Sequence, residues 1–360
     1  MTYAPNIITI KRYPERKDDL LQGWDSADEL ILEHVKGLDL VNKKILIIND
    51  HFGALSCGLA EFGCTTYTDS YVSMMGIQSN SGQKIKPINS LNGLPGLFDF
   101  VIIQIPKNMS YFEDILCHLT HHMHPQSKVI CGAMIKHLSP TSFDLLNKLV
   151  GKTTTSLAHK KARLIFANFE NEKVSSPFPQ KIKIESFEVP FTNHSNLFSR
   201  DKLDIGTRFF LEHIPRGEFE SILDLGCANG IIGIKAKMQN PLARIIFTDE
   251  SSMAIESAKA NYKNYFNEEA EFFWTNCFEG QPKNNIDLVL CNPPFHQGNT
   301  IGDFIAWQMF QDAYEALRTG GTIRVIGNSH LDYQFKLKKL FGNAKTIATN
   351  AKFMICDARK

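Results

Sequence analysis

The segment Ile222-Leu223-Asp224-Leu225-Gly226-Cys227-Ala228-Asn229-Gly230-Ile231-Ile232-Gly233 decides the fold. An apolar run ends at an acid, a turn carrying glycines follows, and a second apolar run opens with helical spacing. Glycine lets a chain turn sharply and lets a ligand approach the backbone. In open α/β sheets that approach happens beyond the carboxyl ends of the strands. Asp224 can there fix a ligand ammonium or order the loop. Taken alone, the segment is also compatible with a tight strand–helix turn that binds nothing. A dinucleotide-binding turn is a further option, but Gly226-x-x-x-Gly230-x-x-Gly233 is not the Gly-x-Gly-x-x-Gly that grips a pyrophosphate.

Outward from this segment, strand patterns at 221–225, 244–248, 271–275, 286–291 and 322–327 alternate with helical patterns such as 252–264 and 303–318. That alternation predicts a mostly parallel sheet covered on both faces. The last two runs, 345–349 and 352–356, lie too close for a crossover helix and predict an antiparallel hairpin at Asn350-Ala351.

The upstream half reads the same way, with strands at 44–48, 98–105 and 128–132 and a closing hairpin of 153–158 with 163–169. Placing Gly53 on Gly230, Asp69 on Asp249, Asp99 on Asp287 and Ala158 on Ala348 gives offsets of 177, 180, 188 and 190, the slow drift that loop insertions produce. One fold is written twice. The stretch 171–181 is rich in Ser and Pro and places a linker at 173–182, between domains 1–172 and 183–360.

Composition narrows the class. In 360 residues, 43% are hydrophobic and no run nears the ~18 apolar residues of a membrane helix. The N-terminus lacks the apolar core of a signal peptide, and the 8 cysteines form no Cys-x-x-Cys pair, as in reduced cytoplasmic proteins. With 39 basic and 38 acidic residues, split 18 and 17 before residue 181 and 21 and 21 from it onward, neither half is basic in bulk. Any hold on nucleic acid is therefore local.

Two further elements carry chemistry. Asp249-Glu250 ends the next strand, where a carboxylate can accept both hydroxyls of a ribose or cap the following helix. In Ile286-Asp287-Leu288-Val289-Leu290-Cys291-Asn292-Pro293-Pro294-Phe295, two prolines after a buried strand remove two backbone donors and hold the chain extended. The side-chain oxygen of Asn292 and the carbonyl of Pro293 offer two acceptors to one planar NH₂ group, and Phe295 offers a face to the ring bearing it. Acceptors on both amine hydrogens favour the pyramidal geometry that frees the nitrogen lone pair.

Asp224, Gly226, Gly230, Asp249 and Asn292-Pro293-Pro294-Phe295, in order on successive strands, resemble class I S-adenosylmethionine-dependent methyltransferases acting on amino groups. More narrowly, the chain resembles the ribosomal RNA guanine-N2 methyltransferases of the RsmC/RlmG group, closest to the large-subunit branch. The likeness runs nearly the full length, through 22–29, 49–57, Thr153-Thr154-Thr155, Lys160-Lys161-Ala162-Arg163-Leu164, Phe198-Ser199-Arg200, Leu203-Asp204-Ile205-Gly206-x-Arg208-Phe209-Phe210, Asn292 to Gln297 and His330-Leu331-Asp332-Tyr333.

The resemblance implies two tandem Rossmann-like methyltransferase domains and methyl transfer from S-adenosyl-L-methionine, leaving S-adenosyl-L-homocysteine, to N2 of one guanine in 23S ribosomal RNA. By position, Asp224, Gly226, Cys227 and Gly230 would line the methionine end of the cofactor, Asp249 its ribose and Asn276 its adenine. Ser199, Asp204 and Gly206 would close that pocket, and Asn292 would border it. The family's middle glycine is Ala228 here, a methyl group expected to be tolerated. The target base must be single-stranded or flipped.

Opposite Asp224, Gly226 and Asn292–Phe295 the first half has Ile47, Asn49 and Gln104-Ile105-Pro106-Lys107. It is expected to keep the fold, bind no cofactor and position RNA. Candidate phosphate contacts are Lys152, Lys160, Lys161 and Arg163, with Lys336, Lys338 and Lys339 in the second half. His118, His121, His122 and His124 match no standard metal spacing, and Cys227 and Cys291 read as small buried residues. The expected protein is a cytoplasmic monomer with no metal. Competing readings are an amino methyltransferase for 16S guanine, adenine N6 or protein glutamine, and a non-catalytic RNA-binding assembly factor, which the intact Asn292–Phe295 turn argues against.

Overall fold

The computed structural model describes residues 10–15, 21–294 and 300–360, with 300–303 as backbone only. The chain divides into two compact units, Met1–Phe178 and Pro179–Lys360.

The first unit runs α1 (Ser26–Val35), β1 (Ile45–Ile48), α2 (Ala54–Gly58), β2 (Thr65–Tyr67), α3 (Tyr71–Asn80), β3 (Phe98–Gln104), α4 (Met109–Leu119), β4 (Met123–Met134), α5 (Pro140–Leu149), β5 (Thr154–Thr155) and β6 (Ala162–Asn168). Its sheet has the order β2-β1-β3-β4-β6-β5. The first four strands are parallel, and β6 and β5 close the edge antiparallel.

The second unit opens with an antiparallel pair, β7 (Gln180–Ile182) and β8 (Phe191–Asn193). There follow α6 (Ile205–Leu211), β9 (Ser221–Leu225), α7 (Ile231–Gln239), β10 (Arg244–Asp249), α8 (Ser252–Tyr265), β11 (Glu271–Trp274), β12 (Ile286–Cys291), α9 (Thr300–Ala316), β13 (Leu317–Asn328), α10 (Tyr333–Phe341), β14 (Lys345–Thr349) and β15 (Phe353–Arg359). The order β11-β10-β9-β12-β13-β15-β14 is that of the first sheet with β11 added. The chain steps outward from β9 to β11, then returns to the other side of β9 as β12. That reversal opens a crevice at the carboxyl ends of β9 and β12.

Both faces of this sheet are covered, which is why β9 and β12 are buried along their whole length. Alternate side chains serve opposite layers. Ile222, Leu288 and Leu290 join Phe210 and Phe247 on one side, and Leu223, Leu225, Val289 and Cys291 join Phe310 on the other.

Three expectations are corrected. Gln180–Ile182, expected in the linker, is strand β7, because Phe191–Asn193 pairs with it. Residues 174–176, also expected there, bind the first unit: Val174 N donates to Thr120 Oγ1 (2.9 Å) and Ser176 Oγ to Asp114 Oδ1 (2.5 Å). The strand expected over 153–158 pairs only at Thr154 and Thr155. Third, the repeat is out of step by one at Asp69. Ile48 pairs with Tyr67 and Leu225 with Thr248, so the partner of Asp249 is Thr68. The contacts agree, since Ser70 N donates to Thr68 Oγ1 (3.2 Å) as Ser251 N does to Asp249 Oδ1 (3.0 Å).

Candidate active site

The loop after β9 is shaped by backbone. Gly226 (φ 77°) and Gly230 (φ 81°) adopt the left-handed conformation, and the Gly226 and Cys227 amides donate to Thr248 O, each at 2.9 Å. Gly230 is the residue from which α7 starts. A Cβ there would lie 3.0 Å from Ala258 Cβ and 3.2 Å from its Cα, so the loop needs glycine for space as well as conformation. Ala228, whose methyl group is expected to be tolerated, holds a left-handed φ of 49°, a conformation that costs an L-residue ~1–2 kcal/mol.

Two acids tie this loop down. Asp224 is 1% exposed and its Oδ2 accepts from Gly233 N in the first turn of α7 (2.8 Å). That contact orders the loop, while Oδ1 is buried without a hydrogen-bond partner. Burial pushes its carboxyl up to about 7. Asp249 Oδ2 accepts from Ala228 N (2.8 Å) and Oδ1 from Ser251 N, while Ser251, not Asp249, caps α8. Asn276 is buried just past β11, its Nδ2 3.5 Å from Glu279 Oε2. Cys227 and Cys291 are buried, which drives both thiols well above their ordinary range and keeps them protonated.

Asn292 follows the last residue of β12, with Pro293 buried and Pro294 half-buried behind it. Its Nδ2 donates to Thr207 Oγ1 (3.1 Å), and its Oδ1 is buried with no hydrogen-bond partner. A buried acceptor left unpaired costs ~1–3 kcal/mol, which is what a ligand donor would recover. Phe295, assigned the stacking face, lies outside the described residues, as do His296 and Gln297.

The segment ahead of the second sheet reaches the same place. Ser199 has φ 51°. Asp204 caps α6 by accepting from Thr207 N (2.9 Å), and Gly206 lets α6 approach Phe353, whose ring would stand 2.9 Å from a Cβ there. Thr207 went unnoticed in the sequence; the available signal was its place three residues after a capping Asp.

In the first unit the equivalent positions are rewired. Asn49 (φ 63°) replaces Gly226, Ile47 replaces Asp224 and Thr68 replaces Asp249. Asp50, three residues beyond Ile47, supplies the missing acid from inside the loop. Its Oδ2 accepts from Ser56 N (2.7 Å), the amide equivalent to that of Gly233, and its Oδ1 from Gly53 N (3.1 Å). Gln104, opposite Asn292, donates Nε2 to Asp28. Asp28 stands three residues after the α1 cap Asp25, as Thr207 stands after Asp204. Burial lifts Asp28 to about 8.

Of the candidate phosphate contacts, Lys152, Lys161, Lys338 and Lys339 are exposed. Lys160 is paired with Glu29 (2.9 Å), Arg163 is partly buried with its Nε unpartnered, and Lys336 lies over the Tyr333 ring. The four histidines have separate partners: His118 with Asp114, His121 with Val174 O, His122 with Gly96 O and His124 with Asp99. No group of metal-ligating side chains occurs among the described residues.

Comparison with known proteins agrees across the chain. Residues 1–171 match the RLMG N-terminal domain and residues 188–357 the methyltransferase small domain. Over 98% of its length the chain is 41% identical to the ribosomal RNA large subunit methyltransferase G of Erwinia tasmaniensis, covering 97% of that protein. It is 43% identical to the one from Aliivibrio salmonicida, covering 96% of it. Among solved structures, the T. thermophilus 16S rRNA N2 methyltransferase RsmC, in complex with AdoMet and guanosine, aligns with a TM-score of 0.76 over 93% of this chain and 92% of that one. At 18% identity that likeness is one of fold.

Proposed function

Because the chain belongs to the ribosomal RNA large subunit methyltransferase G family, we propose that it methylates the exocyclic N2 amine of one guanine in 23S ribosomal RNA. S-adenosylmethionine supplies an electrophilic methyl group when bound, and S-adenosylhomocysteine is the product. The residues present fit that cofactor: a left-handed glycine turn at Gly226 and Gly230 leaves backbone open at the strand ends, flanked by Asp249 and Asn276.

The unpartnered, buried Oδ1 of Asn292 carries the reading. With the Pro293 carbonyl it presents two acceptors to the amine hydrogens, holding the nitrogen lone pair out of the ring and aimed at the methyl carbon. Phe295 would stack on the guanine once the nucleotide leaves its helix. The buried thiols of Cys227 and Cys291 take no part, being neutral.

The first unit, Met1–Phe178, is assigned to holding RNA without cofactor, and the second, Pro179–Lys360, to catalysis. The loss of the acid, the first glycine, the ribose-facing acid and the amide together supports this. No described helix is long and apolar enough to cross a membrane, and all 8 cysteines are unpaired; both support work in the cytoplasm.

The test is to replace Asn292 with Ala. Methylation of large-subunit RNA should fall by at least about a hundredfold, with cofactor and RNA affinities largely kept. Mapping N2-methylguanine in 23S RNA from cells with and without the gene identifies the nucleotide. Unchanged turnover by the variant overturns the mechanism, and an unchanged map overturns the substrate.

A further inference from the structure

We propose that Thr207 is a positioning residue for methyl transfer: its hydroxyl fixes which end of the Asn292 amide faces the cleft. The inference deepens the amine-methylation reading and rests on it for its kinetic consequence. The geometric claim stands by itself.

An asparagine amide can sit either way round, and only its neighbours decide which end points where. Thr207 Oγ1 donates to Asp204 Oδ2 (3.4 Å), the oxygen that also accepts the Thr207 backbone amide, so the hydroxyl proton points at Asp204. The oxygen then has only lone pairs for its other neighbour, and Asn292 Nδ2, 3.1 Å away, must donate to it. Oδ1 is thereby turned away from Thr207, where it is buried and unpaired. Reversed, the amide would set a lone pair against a lone pair at Thr207 and present two N–H donors to the substrate amine, which is itself a donor. Methylation needs the observed orientation.

The Asp204–Thr207 link is local, since the same carboxylate oxygen accepts the Thr207 backbone amide (2.9 Å) as the cap of α6. The cap that starts the helix therefore also polarises the hydroxyl that orients the amide. The first unit repeats the geometry with different atoms. Gln104 donates to Asp28, the residue equivalent to Thr207, and its amide is likewise fixed by the first turn of a helix.

Two variants separate the hydroxyl from the bulk of the side chain. Thr207→Val keeps shape and removes the hydroxyl, while Thr207→Ser keeps the hydroxyl. In single-turnover methylation of large-subunit RNA, Val should lower the rate about ten- to hundredfold, with S-adenosylmethionine affinity and melting temperature near wild type. Ser should restore most of the rate. In cofactor-free protein labelled with ¹⁵N-asparagine, the Asn292 side-chain amide, assigned by its absence in Asn292→Ala, should exchange slowly with solvent in wild type and Ser and rapidly in Val. Full activity in Val, an equal loss in Ser, or unchanged exchange in Val each overturns the proposal. If wild type fails to methylate the RNA, the functional reading falls, and the exchange measurement still decides the orientation.

Discussion

Gly230→Ala is the sharpest test of how the loop after β9 is built. The residue has φ 81°, and the added Cβ meets Ala258 Cβ at 3.0 Å, Ala258 Cα at 3.2 Å and Phe247 Cε1 at 3.3 Å. Two of these belong to a short side chain and a helix backbone that cannot swing away. The left-handed conformation costs an L-residue ~1–2 kcal/mol and overpacking a further ~1–3 kcal/mol, offset by ~0.4–1 kcal/mol from a stiffer unfolded chain. The expected net loss is roughly 2–4 kcal/mol. At Gly226, by contrast, the new Cβ meets only the tip of Met309, at 3.0 Å. That leaves the conformational cost, so Gly226→Ala should lose roughly 0–1.5 kcal/mol. Urea unfolding of the full chain reads the difference. In a Trp24→Phe background the fluorescence comes from Trp274 and Trp307, both in the second unit. A loss at Gly230 no larger than at Gly226 refutes the steric account.

Further outcomes can be measured in the same way. Ala228→Gly should stabilise the second unit by up to about 1 kcal/mol, since it relieves a left-handed alanine; destabilisation would mean that the methyl group packs favourably. Asp28, lifted by burial from 3.8 to about 8, keeps in the fold a proton that the unfolded chain sheds. The Asp28 contribution to the stability of the first unit should therefore be greatest below pH 3.8, fall as pH climbs to 8, and level off above. Unfolding followed by Trp24 alone should show that slope, and Asp28→Asn should flatten it. Replacing Lys338 and Lys339 together with Ala should reduce the slope of log affinity for single-stranded RNA against log salt by about 1.4. An unchanged slope removes α10 from the RNA surface.

Local chemistry was well written in the sequence. The strands β9 and β12 are apolar runs bounded by turn signals, so Ser221–Leu225 and Ile286–Cys291 are readable to the residue. The Asn292-Pro293-Pro294 turn is legible because two prolines leave few conformations. What the sequence hid depends on long-range geometry. Thr207 and Asn292 are 85 residues apart, and only sheet and helix packing brings them to 3.1 Å. At the position of Asp249 the first half makes the same backbone contact with the Thr68 hydroxyl and carries an acid one residue later, at Asp69, so residue type alone sets the repeat out of step. The strain at Ala228 was hidden too, since composition shows a methyl group but not a φ angle.

The relocation of an acid from the strand end in the second unit to Asp50 in the first has a use in reading variants. Each half supplies an internal reference for the other. Features kept by both halves, such as the strand-bracing Asp99 and Asp287, which accept backbone amides of Lys44 and Ser221, serve the fold that the two halves share. Natural substitutions there should appear as lowered protein abundance. Those at Asn292, where the first half has Gln104 in place of the turn amide, should leave abundance intact and ribosomes undermodified.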